Sequence, residues 1–141
     1  MRDIVETARK NPNAMNFGAV LPGSTQHLSA VLLTQLENIQ ADIITYKSTP
    51  DLVTAMLRKE IDVGFDFYAG FVGSLGDKQL RVVASAGELR TEYLPNVPTA
   101  KESGYPAFVV TSWNGLSSAA GLPAEVQKYL SEKIRDRKSV V

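Results

Sequence analysis

Residues 15–28 read Met-Asn-Phe-Gly-Ala-Val-Leu-Pro-Gly-Ser-Thr-Gln-His-Leu. The apolar run from Met15 to Val20 predicts a strand. Leu21-Pro22-Gly23 then makes a turn, and Ser24 is a residue type that caps helix N-termini. Beyond it Leu28, Val31, Leu32 and Leu36 recur at the helical period. Strand, tight turn and helix in this order form the βα half of a parallel-sheet unit.

The same alternation continues on both sides. Upstream, residues 3–10 predict a short helix with Ile4, Val5 and Ala8 on one side and Asp3 as N-cap, stopped at Asn11-Pro12-Asn13. Downstream, Ile43 to Tyr46 predicts a strand, and Ser48-Thr49-Pro50-Asp51 opens a helix with Leu52, Val53, Met56 and Leu57 facing inward. In residues 61–67, Ile61, Val63, Phe65 and Phe67 alternate with Asp62, Gly64 and Asp66, which predicts a strand with one buried face. A short helix over 68–76 and a strand over Leu80–Ala84 follow. Thr99 is expected to cap a short helix ending at Gly104. Phe108 to Trp113 reads as β-rich, with Trp113 in a core or hinge role. Pro123 suits the first turn of a last helix carrying Val126, Tyr129, Leu130 and Ile134 on one face. This order predicts an α/β fold with a mostly parallel sheet covered on both faces. Such sheets bind ligands beyond the carboxyl ends of their strands, here the loops after Val20, Tyr46 and Phe67.

Composition narrows the chemistry. The 141 residues predict one domain. Fifteen basic residues balance fifteen acidic ones, so no basic excess exists to displace counterions from nucleic acid. Hydrophobic residues at 44% and charged residues at 21% are those of a globular chain rather than a disordered one. There is no cysteine and a single histidine, His27, so neither a thiolate nor a histidine-rich metal centre is expected. No apolar stretch approaches the length of a membrane span. The polar start, Met1-Arg2-Asp3, is no signal peptide, which leaves a cytoplasmic protein, a mature form or a fragment as expectations.

The loop from Gly18 to Thr25 carries the sharpest chemistry. A helix N-terminus exposes unpaired N–H groups and partial positive charge, so it favours anions. Ser24 and Thr25 add hydroxyls, Gly23 lets an anion approach the backbone, and His27 lies on the first helical turn. A capped βα turn with a packing or backbone-bonding histidine is the plainer alternative. The two glycines five apart resemble a phosphate-binding loop, but the lysine that loop requires is replaced by Ser24. No third group completes a catalytic set with Ser24 and His27, and the Gly-x-Ser-x-Gly nucleophile elbow is absent. Asp62 and Asp66 fall on one strand face and are candidates for a cation, or for hydrogen bonds to local backbone.

Taken in order, these pieces resemble the extracytoplasmic solute receptors of the tripartite tricarboxylate transporter family, the Bug receptors. Asn16-Phe-Gly with Gly23-Ser-Thr-Gln-His-Leu28, Tyr46-Lys47, Ile61-Asp62 to Phe65-Asp66, and Leu80-Arg-Val-Val-Ala84 match that family's landmarks. So do Leu94-Pro-Asn-Val-Pro-Thr99, Glu102-Ser-Gly104 and Trp113-Asn-Gly-Leu116. The chain departs from the pattern at Ala19 and Leu21, where the family often has Ser and Gly. It also departs at Ser48 and Glu60, which replace glycines.

The resemblance implies a three-layer α/β/α lobe of the type II-like periplasmic-binding-protein fold. Residues 1–110 would be a ligand-binding lobe, and 111–141 a hinge strand and helix returning to a first lobe this chain lacks. It implies a non-catalytic function, binding a small organic carboxylate in the periplasm without a cofactor, with membrane subunits of a tripartite transporter as partners. Ala19, Gly23, Ser24, Thr25, His27 and Asp66 are the implied ligand-binding residues. The alternative is an interaction module that forms a homodimer through the surface the missing lobe leaves open. A nucleotide-binding enzyme ranks below both.

Overall fold

The computed structural model describes residues 1–77, 79–113 and 115–136. Asn114 of the Trp113–Leu116 landmark and residues 137–141 of the C-terminal segment lie outside the described residues. In chain order the elements are α1 (Arg2–Lys10), β1 (Asn16–Val20), α2 (Thr25–Glu37), β2 (Asp42–Tyr46), α3 (Thr49–Leu57), β3 (Val63–Phe65), α4 (Tyr68–Gly76) and α5 (Ala124–Asp136). The strands form a parallel sheet in the order β2-β1-β3. Val20 of β1 pairs with Tyr46, and Ala19 with Phe65, so all three strands release their loops at the same edge.

Both faces of the sheet are covered. On one, Val5 and Ala8 of α1, Leu33 of α2 and Phe108 pack with Phe17. The Phe17 and Phe65 rings sit 5.4 Å apart and tilted, a geometry worth about 0.5–1.5 kcal/mol beyond area burial. On the other, Leu52 and Ala55 of α3 pack with Val20 and Ile61, and Met56 and Phe71 close the cluster. This is the expected three-layer arrangement. Neither cluster contains a described residue beyond Val110.

Several sequence expectations shift. The cap of α1 is Met1, with Asp3 inside the first turn. In α2 the buried residues are Ser29, Ala30 and Leu33, whereas Leu28 and Leu36 are exposed. The small Ser29 and Ala30 let the helix approach the sheet closely, so Leu28 and Leu36 turn outward while Leu32 still packs on the core. In α3, Leu52 and Ala55 are buried, but Leu57 is exposed. The strand expected over 61–67 shortens to three residues, with a carboxylate bonded to backbone at each end. Asp62 Oδ2 accepts the Asn16 N–H at 2.8 Å, and Asp66 Oδ1 accepts the Phe67 N–H at 2.7 Å. Its Gly64 also faces Met56 and Phe71, so β3 is packed on both sides.

Leu80–Ala84 is not a strand. The backbone just beyond it bonds elsewhere: Ser85 N–H donates to Pro98, Ala100 N–H to Ser85, and Val110 N–H to Ala86. A cleft of about 370 Å³ separates this segment from β3. Phe108–Trp113 likewise forms no strand among the described residues. Trp113 is exposed, contrary to a core placement, and its ring lies over Gly115. Thr99 builds its expected cap, but on a turn and not a helix. Its N–H donates to Glu102 Oε2 at 2.8 Å, and the Glu102 N–H returns to Thr99 Oγ1 at 3.1 Å.

Gly18 marks the tightest approach between layers. A Cβ there would stand 2.2 Å from Ile61 Cδ1 and 2.6 Å from Leu52 Cδ1, both in buried side chains. Gly18→Ala should destabilise the fold by about 1–3 kcal/mol through overpacking. Ile61→Val removes the nearer clashing atom, so urea unfolding of the double variant should show a loss smaller than the sum of the two singles.

Glu102 supplies a second test. Its hydrogen bond from Arg90, followed by that from the Thr99 N–H, lowers its carboxyl below the ordinary glutamate range. The contribution is present above that ordinary range and disappears as pH falls through the lowered value. Between about pH 6 and about pH 3, the urea midpoint should fall more steeply for the parent chain than for Glu102→Gln.

Candidate ligand-binding site

The loop from β1 to α2 turns sharply. Leu21 takes φ 54° and Gly23 φ 78°. The left-handed region costs a non-glycine residue about 1–2 kcal/mol, and Leu21 holds it where the family resemblance leads one to expect glycine. Two hydrogen bonds pin the turn: Leu21 N–H donates to the Tyr46 carbonyl at 2.9 Å and Ser24 N–H to the Leu21 carbonyl at 3.2 Å.

Ser24 caps α2, as expected. Its Oγ accepts the His27 N–H at 3.2 Å and donates to the Val20 carbonyl. The His27 ring folds back, and its Nδ1 accepts the Gly23 N–H at 3.2 Å. The hydroxyl of Ser24, the N–H of Gly23 and one nitrogen of His27 are therefore engaged in building the loop. Ala19 is fully buried between two strands and has no surface to offer a ligand, contrary to its placement among the contact residues.

The groups left at the helix start are the Thr25 and Gln26 N–H groups. They stand at the first two helical positions, which have no acceptor within the helix. Both residues are half-buried and line the cleft beside β3, as does Asp66. The helix end supplies partial positive charge at the same place. Unpaired N–H groups and helix-end charge at one place favour an anion.

Asp66 joins the three loops. Its Oδ1 accepts from Gln26 Nε2 at 3.1 Å as well as from the Phe67 N–H, and its Oδ2 accepts from Thr49 Oγ1 at 2.6 Å. One carboxylate thus ties the start of α2, the start of α3 and the entry to α4. Hydrogen bonds to a charged group contribute about 1.5–3 kcal/mol each. Gln26 and Thr49 carry no distinctive local signal beyond their place in the first turn of a helix that starts at the carboxyl edge of the sheet. Tyr68 also lines the cleft, and its ring stacks 5.9 Å from that of Tyr93.

Asp62 lies at the opposite end of β3 and bonds the Asn16 backbone. The two aspartates therefore do not share a cation site, and no cluster of three metal-ligating side chains occurs among the described residues. Tyr46, at the end of β2, has its hydroxyl pushed above the ordinary range by burial and then by the nearby charge of Glu60.

Comparison with known proteins places the fold. A "UPF0065 protein in gbd 5'region" from Cupriavidus necator is 32% identical over 137 residues, covering 96% of this chain and 41% of the relative. BugT of Bordetella pertussis is 23% identical over 133 residues, covering 94% of this chain and 41% of its own length. The chain therefore spans about two-fifths of the length of these relatives. An R. palustris protein solved with adipate superposes with a TM-score of 0.88 at 23% identity, covering 95% of this chain and 45% of that one. MatC from Rhodopseudomonas palustris, solved with bound malate, superposes with a TM-score of 0.86 at 23% identity, covering 96% and 46%. No helix among the described residues is long and apolar enough to cross a membrane. The model of the tripartite tricarboxylate transporter family receptors matches residues 1–139, and the chain belongs to that family.

Proposed function

We propose that this chain is a ligand-binding lobe of a solute receptor and holds one carboxylate group of a small organic acid for tripartite uptake. The observation that carries the reading is the pair of unpaired N–H groups, Thr25 and Gln26, at the N-terminus of a 13-residue helix on the sheet's ligand edge. Family membership and the adipate and malate held by two structural relatives support it.

In this reading each loop residue has a distinct part. Gly23, Ser24 and His27 hold the loop in shape. Thr25 contributes its N–H and its hydroxyl, and Gln26 its N–H. Asp66 is a positioning residue: it fixes the Gln26 and Thr49 side chains, and its own charge is met by three donors. Binding is non-catalytic and uses no cofactor. Residues 1–110 act as the lobe proper, and residues 111–141 as a connection toward a second lobe that closes on the ligand. The confinement of both core clusters to residues up to Val110 supports that division. The setting is the periplasm, with the membrane subunits of a tripartite transporter as partners. One lobe contacts one side of a ligand, so its own affinity is low.

A thermal-shift screen should show stabilisation by mono-, di- or tricarboxylates and none by nucleotides. Stabilisation by nucleotides alone overturns the assignment. Thr25→Pro is the sharper probe. Proline is well tolerated at the first helical position, and Ser24 already has the extended backbone that a following proline requires. The substitution deletes one N–H and one hydroxyl while keeping the fold. Calorimetric titration should show the dissociation constant rising by about tenfold or more. Unchanged carboxylate affinity in a folded Thr25→Pro chain would remove the α2 N-terminus from the site.

A further inference from the structure

Helix α4 has no buried residue. Its Tyr68, Phe71 and Leu75 stand at i, i+3 and i+7, so they share one face, and all three line the cleft beside β3. Leu80, Val82 and Ala84, each half-buried, line the same cleft. The segment carrying them is tied at both ends. Leu80 N–H donates to the Ser74 carbonyl of α4 at 3.4 Å, and Ser85 N–H to the Pro98 carbonyl at 3.0 Å. The gap is thus framed by chain that the lobe itself holds in place. Its volume of about 370 Å³ is that of a small-molecule site. Apolar walls around such a gap favour an apolar occupant.

Two further observations bear on the chemistry of that occupant. Thr25 and Gln26 line the same cleft, so its apolar walls continue from the N–H groups proposed to hold a carboxylate. The charged side chains among its described lining are Asp62, Asp66 and Arg81. Both aspartates are fixed by backbone N–H groups, and Arg81 is exposed. Two negative groups against one positive group oppose a second carboxylate, and an unpaired charge against apolar walls is costly.

We infer that the substrate class of this lobe is a monocarboxylate with an apolar body. The carboxylate lies at the start of α2, and the hydrocarbon part fills the space between α4 and residues 80–84. This rests on the carboxylate reading and narrows it. Phe71 and Leu75 are then specificity-determining residues. They reward apolar area brought out of water, whereas a short, polar di- or tricarboxylate leaves them uncovered.

Chemical-shift titration of the full chain with acetate, hexanoate, adipate and hexanol separates the contributions. Each buried methylene strengthens binding about fourfold, so hexanoate should bind about tenfold or more tighter than acetate. Adipate has the same carbon chain with a second carboxylate at its far end, and should bind about tenfold more weakly than hexanoate. Leu75→Trp occupies the space and should bring hexanoate to within about threefold of acetate. Leu75 belongs to neither core cluster, so this variant keeps the parent's urea midpoint. Equal binding of hexanoate and acetate, or adipate binding as tightly as hexanoate, overturns the inference and leaves a carboxylate at α2 standing. So does a folded Leu75→Trp chain that still prefers hexanoate. Hexanol binding as tightly as hexanoate overturns the carboxylate reading instead, and with it the substrate class drawn from it. Binding of none of the four overturns both.

Discussion

The position of β1 governs the rest of the lobe. It is hydrogen-bonded along both edges, to β2 and to β3, and packed on both faces. Phe17 belongs to one core cluster and Val20 to the other, while Gly18 admits Ile61 and Leu52 where any side chain would collide. A strand in that position has no solvated side, which is why Asn16–Val20 is almost entirely buried and carries no charge. Parallel pairing then has a geometric consequence. The carboxyl ends of three strands gather at one edge, and the polar groups that follow each strand meet there although they are distant in the chain.

Asp66 makes that edge a single piece. Without a common acceptor, the starts of α2, α3 and α4 would be three separate loop ends. With it, Gln26, Thr49 and the Phe67 N–H converge on one carboxylate. A fixed negative charge stands beside the helix start, so in the proposed reading a carboxylate is held by N–H groups and the helix end rather than by an opposite ionic side chain. Ser24 and His27 serve the same end indirectly, since their hydrogen bonds to Val20, Gly23 and each other hold the turn that aims those N–H groups.

The lobe is unevenly tied together. Residues up to Val110 share two buried clusters, and the turn at Thr99 is bound reciprocally to Glu102 and through it to Arg90. Beyond Val110 the described side chains are almost all exposed, and α5 presents its apolar stripe to solvent.

Local patterns in the sequence carried the element order. The Leu-Pro-Gly-Ser turn, the Ser48-Thr49-Pro50-Asp51 start and Pro123 each act within a few residues, through backbone restriction or side-chain capping, and the elements they announce are present. Strand-helix alternation likewise implied a parallel sheet with two covered faces. What the sequence could not rank was competition between partners far apart in the chain. Leu80–Ala84 has strand composition, yet the residues beyond it pair with 98–100 and 110. Leu28 and Leu36 have core composition, yet the smaller Ser29 and Ala30 sit against the sheet because close approach favours them. Ala19, Ser24 and His27 were legible as a loop and its approach, but their being buried or already bonded depends on atoms that only the folded chain brings near. The convergence of Gln26 and Thr49 on Asp66 spans forty residues of sequence, and tertiary structure alone decides such a meeting, because hydrogen bonds form between neighbours in space.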